Sequence, residues 1–173
     1  KLHDCDEFII SAAFITLGGL TPLLEDFLEL EKRGVKGKIL TTDYLNFTEP
    51  KALKKLQSLD NIEVKLYSQS KEGFHTKGYI FKKNDVYTGI IGSSNLTLNA
   101  LTVNKEWNVE LSLLNSGEIL NNLLNEFQNL WGKADDLNDV LPYYEKIYED
   151  NKNFNNLKRV YEDEISKSQV LEP

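Results

Sequence analysis

With 173 residues, 40% of them hydrophobic and 27% charged, the chain has the size and composition of one soluble globular domain with a sizeable core. Its longest apolar stretch, Phe8 to Leu17, is interrupted by Ser11 and Thr16 and falls far short of the roughly 20 residues that cross a bilayer, which excludes a membrane span and argues against a membrane partner. The net charge of −7 opposes a polyanionic ligand, yet residues 51–105 carry nine Lys against four acids while residues 134–173 carry ten Asp/Glu against five Lys/Arg, so the middle of the chain is locally basic.

In chain order, Glu7 to Ile15 reads as a near-continuous apolar run of strand length, the pattern of a strand covered on both faces. Thr21 and Pro22 start a helix whose Leu20, Leu23, Leu24, Phe27 and Leu28 recur at helical spacing until Gly34. Lys38 to Thr42 gives a second strand and Pro50 to Leu59 a second helix, and Ile62, Val64 and Leu66 alternate as a third strand. This βαβαβ order predicts an α/β fold with a mixed, largely parallel sheet flanked by helices on both faces.

From Phe74 the rhythm changes. Phe74 to Phe81 and Val86 to Ile91 read as two strands joined by the polar turn Lys82-Lys83-Asn84-Asp85, and a further strand spans about Trp107 to Leu114. Ser116 is placed to cap a long helix in which Ile119, Leu120, Leu123, Leu124, Phe127, Leu130 and Trp131 form one apolar stripe, closed by Gly132. The tail carries Tyr144, Ile147 and Tyr148, then Leu157, Val160, Tyr161 and Ile165, and reads as a more polar helix. The single cysteine, Cys5, makes no intrachain disulfide or thiolate cluster, and no signal peptide opens the chain, so a reducing cytoplasm is expected. The start at Lys1 rather than Met reads as a piece of a longer protein.

Chemistry concentrates in two places. On a strand, His75 and Lys77 project from the same face about 7 Å apart. Gly92-Ser93-Ser94-Asn95 follows at the end of the next strand, where small residues admit a ligand to the backbone and Asn95 has amide hydrogens to donate. Two adjacent strand ends would then converge on one anion, although a lone strand histidine or a Gly-Ser-Ser-Asn turn means little by itself.

Together these residues resemble the phospholipase D superfamily, whose signature is H-x-K, then D, then G-S-x-N. His75, Lys77, Gly92, Ser93 and Asn95 match it, and Asn104-Lys105-Glu106 matches the N-x-E of the superfamily's short nucleases. More narrowly, Phe74-His75-Thr76-Lys77-Gly78-Tyr79, Gly92 to Thr97 and Glu106-Trp107-Asn108 are similar to the phospholipase D-like domain at the amino terminus of certain bacterial DEAD/DEAH-box helicases, related to metal-independent restriction endonucleases. The resemblance covers about residues 5–133, and residues 134–173 read as a polar helical extension or linker. One position departs from the signature: Lys82 stands where the Asp belongs, and Asp85 is not expected to replace it.

The resemblance implies a metal-independent phosphodiesterase acting on DNA through a phosphohistidine. His75 would be the nucleophile, Lys77 and Asn95 would neutralise the developing charge with help from Ser93 and Ser94, and Glu106 would orient the imidazole. Neither metal nor cofactor is implied. The chemistry uses two histidines and His3 lies in no motif, so a homodimer sharing one active site is expected, with a covalently linked helicase as a possible neighbour. Two other readings stay open: a nucleic-acid-binding or dimerisation module without turnover, and a lipid phosphodiesterase, for which no basic amphipathic helix is evident.

Overall fold

The computed structural model describes residues 1–68, 70, 73–115 and 117–169. Its elements are β1 (Glu7–Ala12), α1 (Leu17–Leu20), α2 (Leu24–Lys32), β2 (Lys36–Thr42), α3 (Pro50–Gln57), β3 (Ile62–Tyr67), β4 (Lys77–Lys83), β5 (Val86–Gly92), α4 (Leu98–Thr102), β6 (Asn108–Leu114), α5 (Glu118–Lys133), β7 (Asp135–Asp136) and α6 (Leu137–Gln169). The seven strands form one mixed sheet in the order β6-β5-β4-β1-β2-β3-β7.

Among the described strands β1–β2 and β2–β3, the two pairs joined by helical crossovers, run parallel. The other pairings are antiparallel. The parallel share is therefore smaller than the sequence rhythm suggested, because β4 and β5 are joined by a tight turn in which Asn84 takes φ 52°, and such a turn reverses the chain. Among the described residues no helix is long and apolar enough to cross a membrane.

Alternation along β1 sends Phe8, Ile10 and Ala12 to one face of the sheet and Ile9 and Ala13 to the other. On the first face they meet Phe27 and Leu30 of α2, Leu53 and Leu56 of α3, and Leu137, Leu141 and Tyr144 of α6. On the second, Ile9, Leu40, Tyr67 and Ile80 meet Leu120, Phe127 and Trp131 of α5. Helices thus cover both faces, and each fully buried Leu, Ile or Phe contributes roughly 1.5–3 kcal/mol of burial free energy. Tyr144 also donates its hydroxyl hydrogen to Thr48 O at 2.6 Å, fixing the first turns of α6 to the body of the domain. Ser116, the expected cap of α5, and the side chains of Leu157, Val160, Tyr161 and Ile165 lie outside the described residues; Gly117 holds the N-cap position.

Two departures from the expected elements shape the site. β1 stops at Ala12 rather than Ile15, and the chain beyond it runs on extended, with Ala13 N donating to Thr76 O at 3.0 Å and Ile15 bridging in parallel to Leu96. The strand after the Phe74 region begins at Lys77, so His75 stands just ahead of β4 rather than within it.

Candidate active site

The site forms where the end of β1, the start of β4 and the end of β5 lie side by side. Lys77, the first residue of β4, pairs with Ala12 in the ladder and is only 9% exposed, whereas His75 is exposed. Lys77 Nζ turns back along the chain and lies 2.9 Å from His75 Nδ1 and 2.9 Å from His75 O. Burial of its ammonium lowers the Lys77 pKa below the usual lysine value, and the negative charge of Glu106 offsets part of that shift. The ring of Phe14, in the extended tail of β1, meets the His75 ring edge to face, with centroids 5.9 Å apart.

The same Phe14 reaches the second motif. Its backbone N–H donates to Asn95 Oδ1 at 3.1 Å, and Phe14 O accepts from Leu96 N at 3.0 Å. With Oδ1 taken, the side-chain amide of Asn95 is held in one sense, and its Nδ2 hydrogens have no partner among the described residues. Phe14 therefore orients Asn95 through its backbone while its ring touches His75. Sequence reasoning missed this role, which rests on contacts separated by 61 and 81 residues with no local signature.

The Gly92 to Ser94 turn packs directly on the start of β6. A side chain at Gly92 would collide with Trp107 O and Asn108, so only glycine fits there. Ser93 Oγ donates to Glu106 Oε2 and accepts from Trp107 N at 3.1 Å, and Asn104 Nδ2 donates to Glu106 Oε1 at 3.2 Å. These hydrogen bonds hold the Glu106 carboxyl below its usual pKa, so it is an anion at neutral pH. Ser94 is buried, and its Oγ accepts from Asn108 Nδ2 at 2.8 Å while its carbonyl accepts from Tyr79 OH at 2.8 Å. Burial raises the Tyr79 pKa, which keeps that phenol protonated as a donor.

These contacts revise the expectations for Glu106, Ser93 and Ser94. Among the described residues Glu106 takes its hydrogen bonds from Ser93 and Asn104, not from the imidazole, because the loop before β6 holds it against the Gly92 turn. The hydroxyls of Ser93 and Ser94, expected at the phosphate, are engaged inside the protein. His3 makes an exposed contact with Asp26 at 2.9 Å and is no part of this cluster.

The candidate residues fall into two touching groups. His75 and Lys77 line a cavity of about 340 Å³ against α5, with Ile80 and Phe127 on its apolar wall. Asn95 and Glu106 line another of about 520 Å³, shared with Phe14 and Asn104. Phe14 stands between them. Lys77 and Glu106, one lining each cavity, attract each other by charge. Among the described residues no three His, Cys, Asp or Glu are grouped as a metal would need.

The signature Asp position is far from this region. Lys82 lies five residues along β4 from Lys77, about 17 Å at strand rise. Its carbonyl accepts from Asp6 N at 2.7 Å, and its Nζ lies 5.6 Å from the Tyr87 ring centroid. Asp85 sits in the exposed hairpin turn at that same far end. The carboxylate that braces the hairpin comes instead from Asp6, which accepts from Lys83 Nζ at 2.9 Å and from Asn84 N at 2.8 Å.

The family model described as cardiolipin synthase, PLD-like domain, matches residues 6–131, the span holding every residue named above as part of the site. Among solved structures the fold is similar to NucT from Helicobacter pylori, with a TM-score of 0.60 and 16% identity, over 78% of this chain and 85% of that one. It is equally similar to Nuc from Salmonella typhimurium, a phospholipase D family member, with a TM-score of 0.60 and 23% identity over 78% and 84% of the two chains. No curated protein sequence matches the chain. The family match over most of its length, borne on the fold and motifs described, establishes that the chain belongs to the phospholipase D superfamily through its PLD-like domain.

Proposed function

We propose that this domain is a metal-independent nuclease, cleaving phosphodiesters of DNA through a covalent phosphohistidine at His75. The observation that carries the reading is the contact of Lys77 Nζ with His75 Nδ1, which puts a cation beside the nucleophile where a non-bridging phosphate oxygen would bind. An unprotonated imidazole nitrogen attacks phosphorus, the bond to the leaving oxygen breaks, and Lys77 and the Asn95 amide stabilise the charge on the non-bridging oxygens. A second imidazole gives the leaving oxygen its proton. It then takes one from water, which hydrolyses the phosphoramidate and frees His75. Lys77 at this position also disfavours a dication, since two positive centres a few ångströms apart repel.

His3 is occupied with Asp26, so the second imidazole is His75 of another copy, and the working unit is a twofold homodimer with one shared site. The motif likeness supports a place inside a larger helicase or restriction-type protein of the cytoplasm, with the polar far end of α6 as its connection. The test is cleavage of single- and double-stranded DNA in the presence of a chelator, comparing the natural chain with His75→Ala, alongside sedimentation. Chelator-resistant cleavage by a dimer, lost in His75→Ala, supports the reading. Binding without cleavage would make the domain a nucleic-acid-binding module, and cleavage restored only by magnesium would overturn the mechanism.

A further inference from the structure

We infer that the loop after β2, carrying Tyr44, Leu45 and Phe47, is a base-stacking platform that selects unpaired nucleic acid next to the scissile phosphate. The inference rests on the nucleic-acid reading above and names the form of the substrate. Three features set this loop apart.

First, its apolar side chains face water: Leu45 and Phe47 are each 55% exposed and Tyr44 is 37% exposed. Second, its backbone is held in an uncommon form, with Leu45 at φ 53° and Asn46 at φ 55°, a left-handed pair without glycine. Such conformations persist where the surroundings dictate them, and they gather at ligand sites. Third, the loop is continuous with the catalytic cluster through one ring. Phe14 lies 5.9 Å from the His75 ring, 5.0 Å from Phe47 and 6.5 Å from Tyr44, and its ring plane is within 9° of that of Tyr44.

An aromatic surface one ring removed from the phosphate site is placed to receive a base attached to the nucleotide being cut. Only a base out of its duplex has a free face for it. Beyond Phe47 the surface continues as a groove of about 430 Å³ lined by Asn46, Phe47, Tyr148, Asn151 and Lys152, an alternation of rings, amides and one cation that suits successive nucleotides. The carboxylates flanking the loop are turned to protein donors: Glu49 Oε2 accepts from Leu17 N at 2.7 Å and Asp43 Oδ2 from Ser68 Oγ at 3.3 Å. Glu149 follows Tyr148 on α6, so the cation Lys152 gains little by charge, and binding on this path rests on stacking rather than on ion pairing. A lipid surface is the other occupant an exposed apolar loop can take, but amides and an acidic helix beside it do not suit an anionic membrane.

The experiment measures binding of a labelled oligothymidylate, of a duplex and of phosphatidylglycerol vesicles, together with hydrolysis of bis(p-nitrophenyl) phosphate. Phe47→Ala and Tyr44→Ala are each expected to weaken oligothymidylate binding about tenfold, with the salt dependence unchanged. Phe47→Trp should keep the affinity, and hydrolysis of the small diester should stay at its natural rate in every variant, which also certifies the fold. Unchanged oligothymidylate affinity in Phe47→Ala overturns the inference, as does a variant that loses duplex binding equally. Loss confined to vesicles would make the loop a membrane contact instead. If the natural chain hydrolyses the small diester but neither binds nor cuts any nucleic acid, the proposed function itself fails and the platform with it.

Discussion

Lys77 Nζ is hydrogen-bonded to both Nδ1 and the carbonyl oxygen of His75, at 2.9 Å each. An ammonium has three hydrogens, so one remains for a ligand. Of the two ring nitrogens Nδ1 is the one in contact with the ammonium, and Nε2 is the one turned away from it. One residue thus places a positive charge for phosphate and holds the His75 ring beside it.

Asn95 serves two neighbours, and two substitutions separate them. Asn95→Asp keeps an oxygen for Phe14 N but loses the amide donor, so it should preserve stability while slowing phosphodiester cleavage by about 10²-fold or more. Asn95→Ala removes the acceptor as well and leaves a half-buried backbone N–H unpaired, at a cost of about 1–3 kcal/mol. Urea unfolding and single-turnover rates read the two effects. Equal stability in both variants would contradict the role given to Phe14.

The lowered pKa of Lys77 has a signed consequence. The group is a cation at neutral pH and loses its proton at a lower pH than an ordinary lysine, whose value is 10.5, so anion binding should fail on the alkaline side before that point. Lys77→Arg should push the alkaline limb upward, because a guanidinium stays protonated beyond pH of about 12. Affinity for an uncleavable phosphodiester analogue measured against pH tests this. An identical limb in both proteins would assign it to another group.

The replaced signature Asp bears on activity only if its position reaches the site, and Lys82 does not. Lys82→Asp is therefore expected to change the cleavage rate by less than about twofold. Asp6→Asn should instead loosen the hairpin, because the Asp6 carboxylate, held below its usual pKa by Asn84 N–H and Lys83, binds that turn. A large gain in rate in Lys82→Asp would show that the hairpin end communicates with His75.

Much of this arrangement is readable from sequence where the signal is local. The helix and strand periods between Glu7 and Leu66 predict the βαβαβ half, because burial on both faces imposes long apolar runs with amphipathic helices between them. The hairpin is readable from Asn84-Asp85. The antiparallel sense of β4 and β5 follows from their two-residue turn, whereas β6 returns to the sheet only after residues 93–107, which hold α4. The short α4 and two-residue β7 carry too few residues for any period to register. At the site, His75, Lys77 and Asn95 are legible because they stand in a spaced motif. Phe14 and the Tyr44 to Phe47 loop are not, since their proximity to His75 is made by the order of the strands and leaves no mark in neighbouring residues.

The bond from His75 to phosphorus is read by rapid alkaline quenching of a reaction with labelled DNA in the presence of chelator, since a phosphoramidate survives alkali and is lost in acid. Label is expected on the protein during turnover, mapped to His75 and absent from His75→Ala, which should still fold because the side chain is exposed. Chelator-resistant cleavage with no labelled protein at any time, or label that persists in His75→Ala, would contradict it.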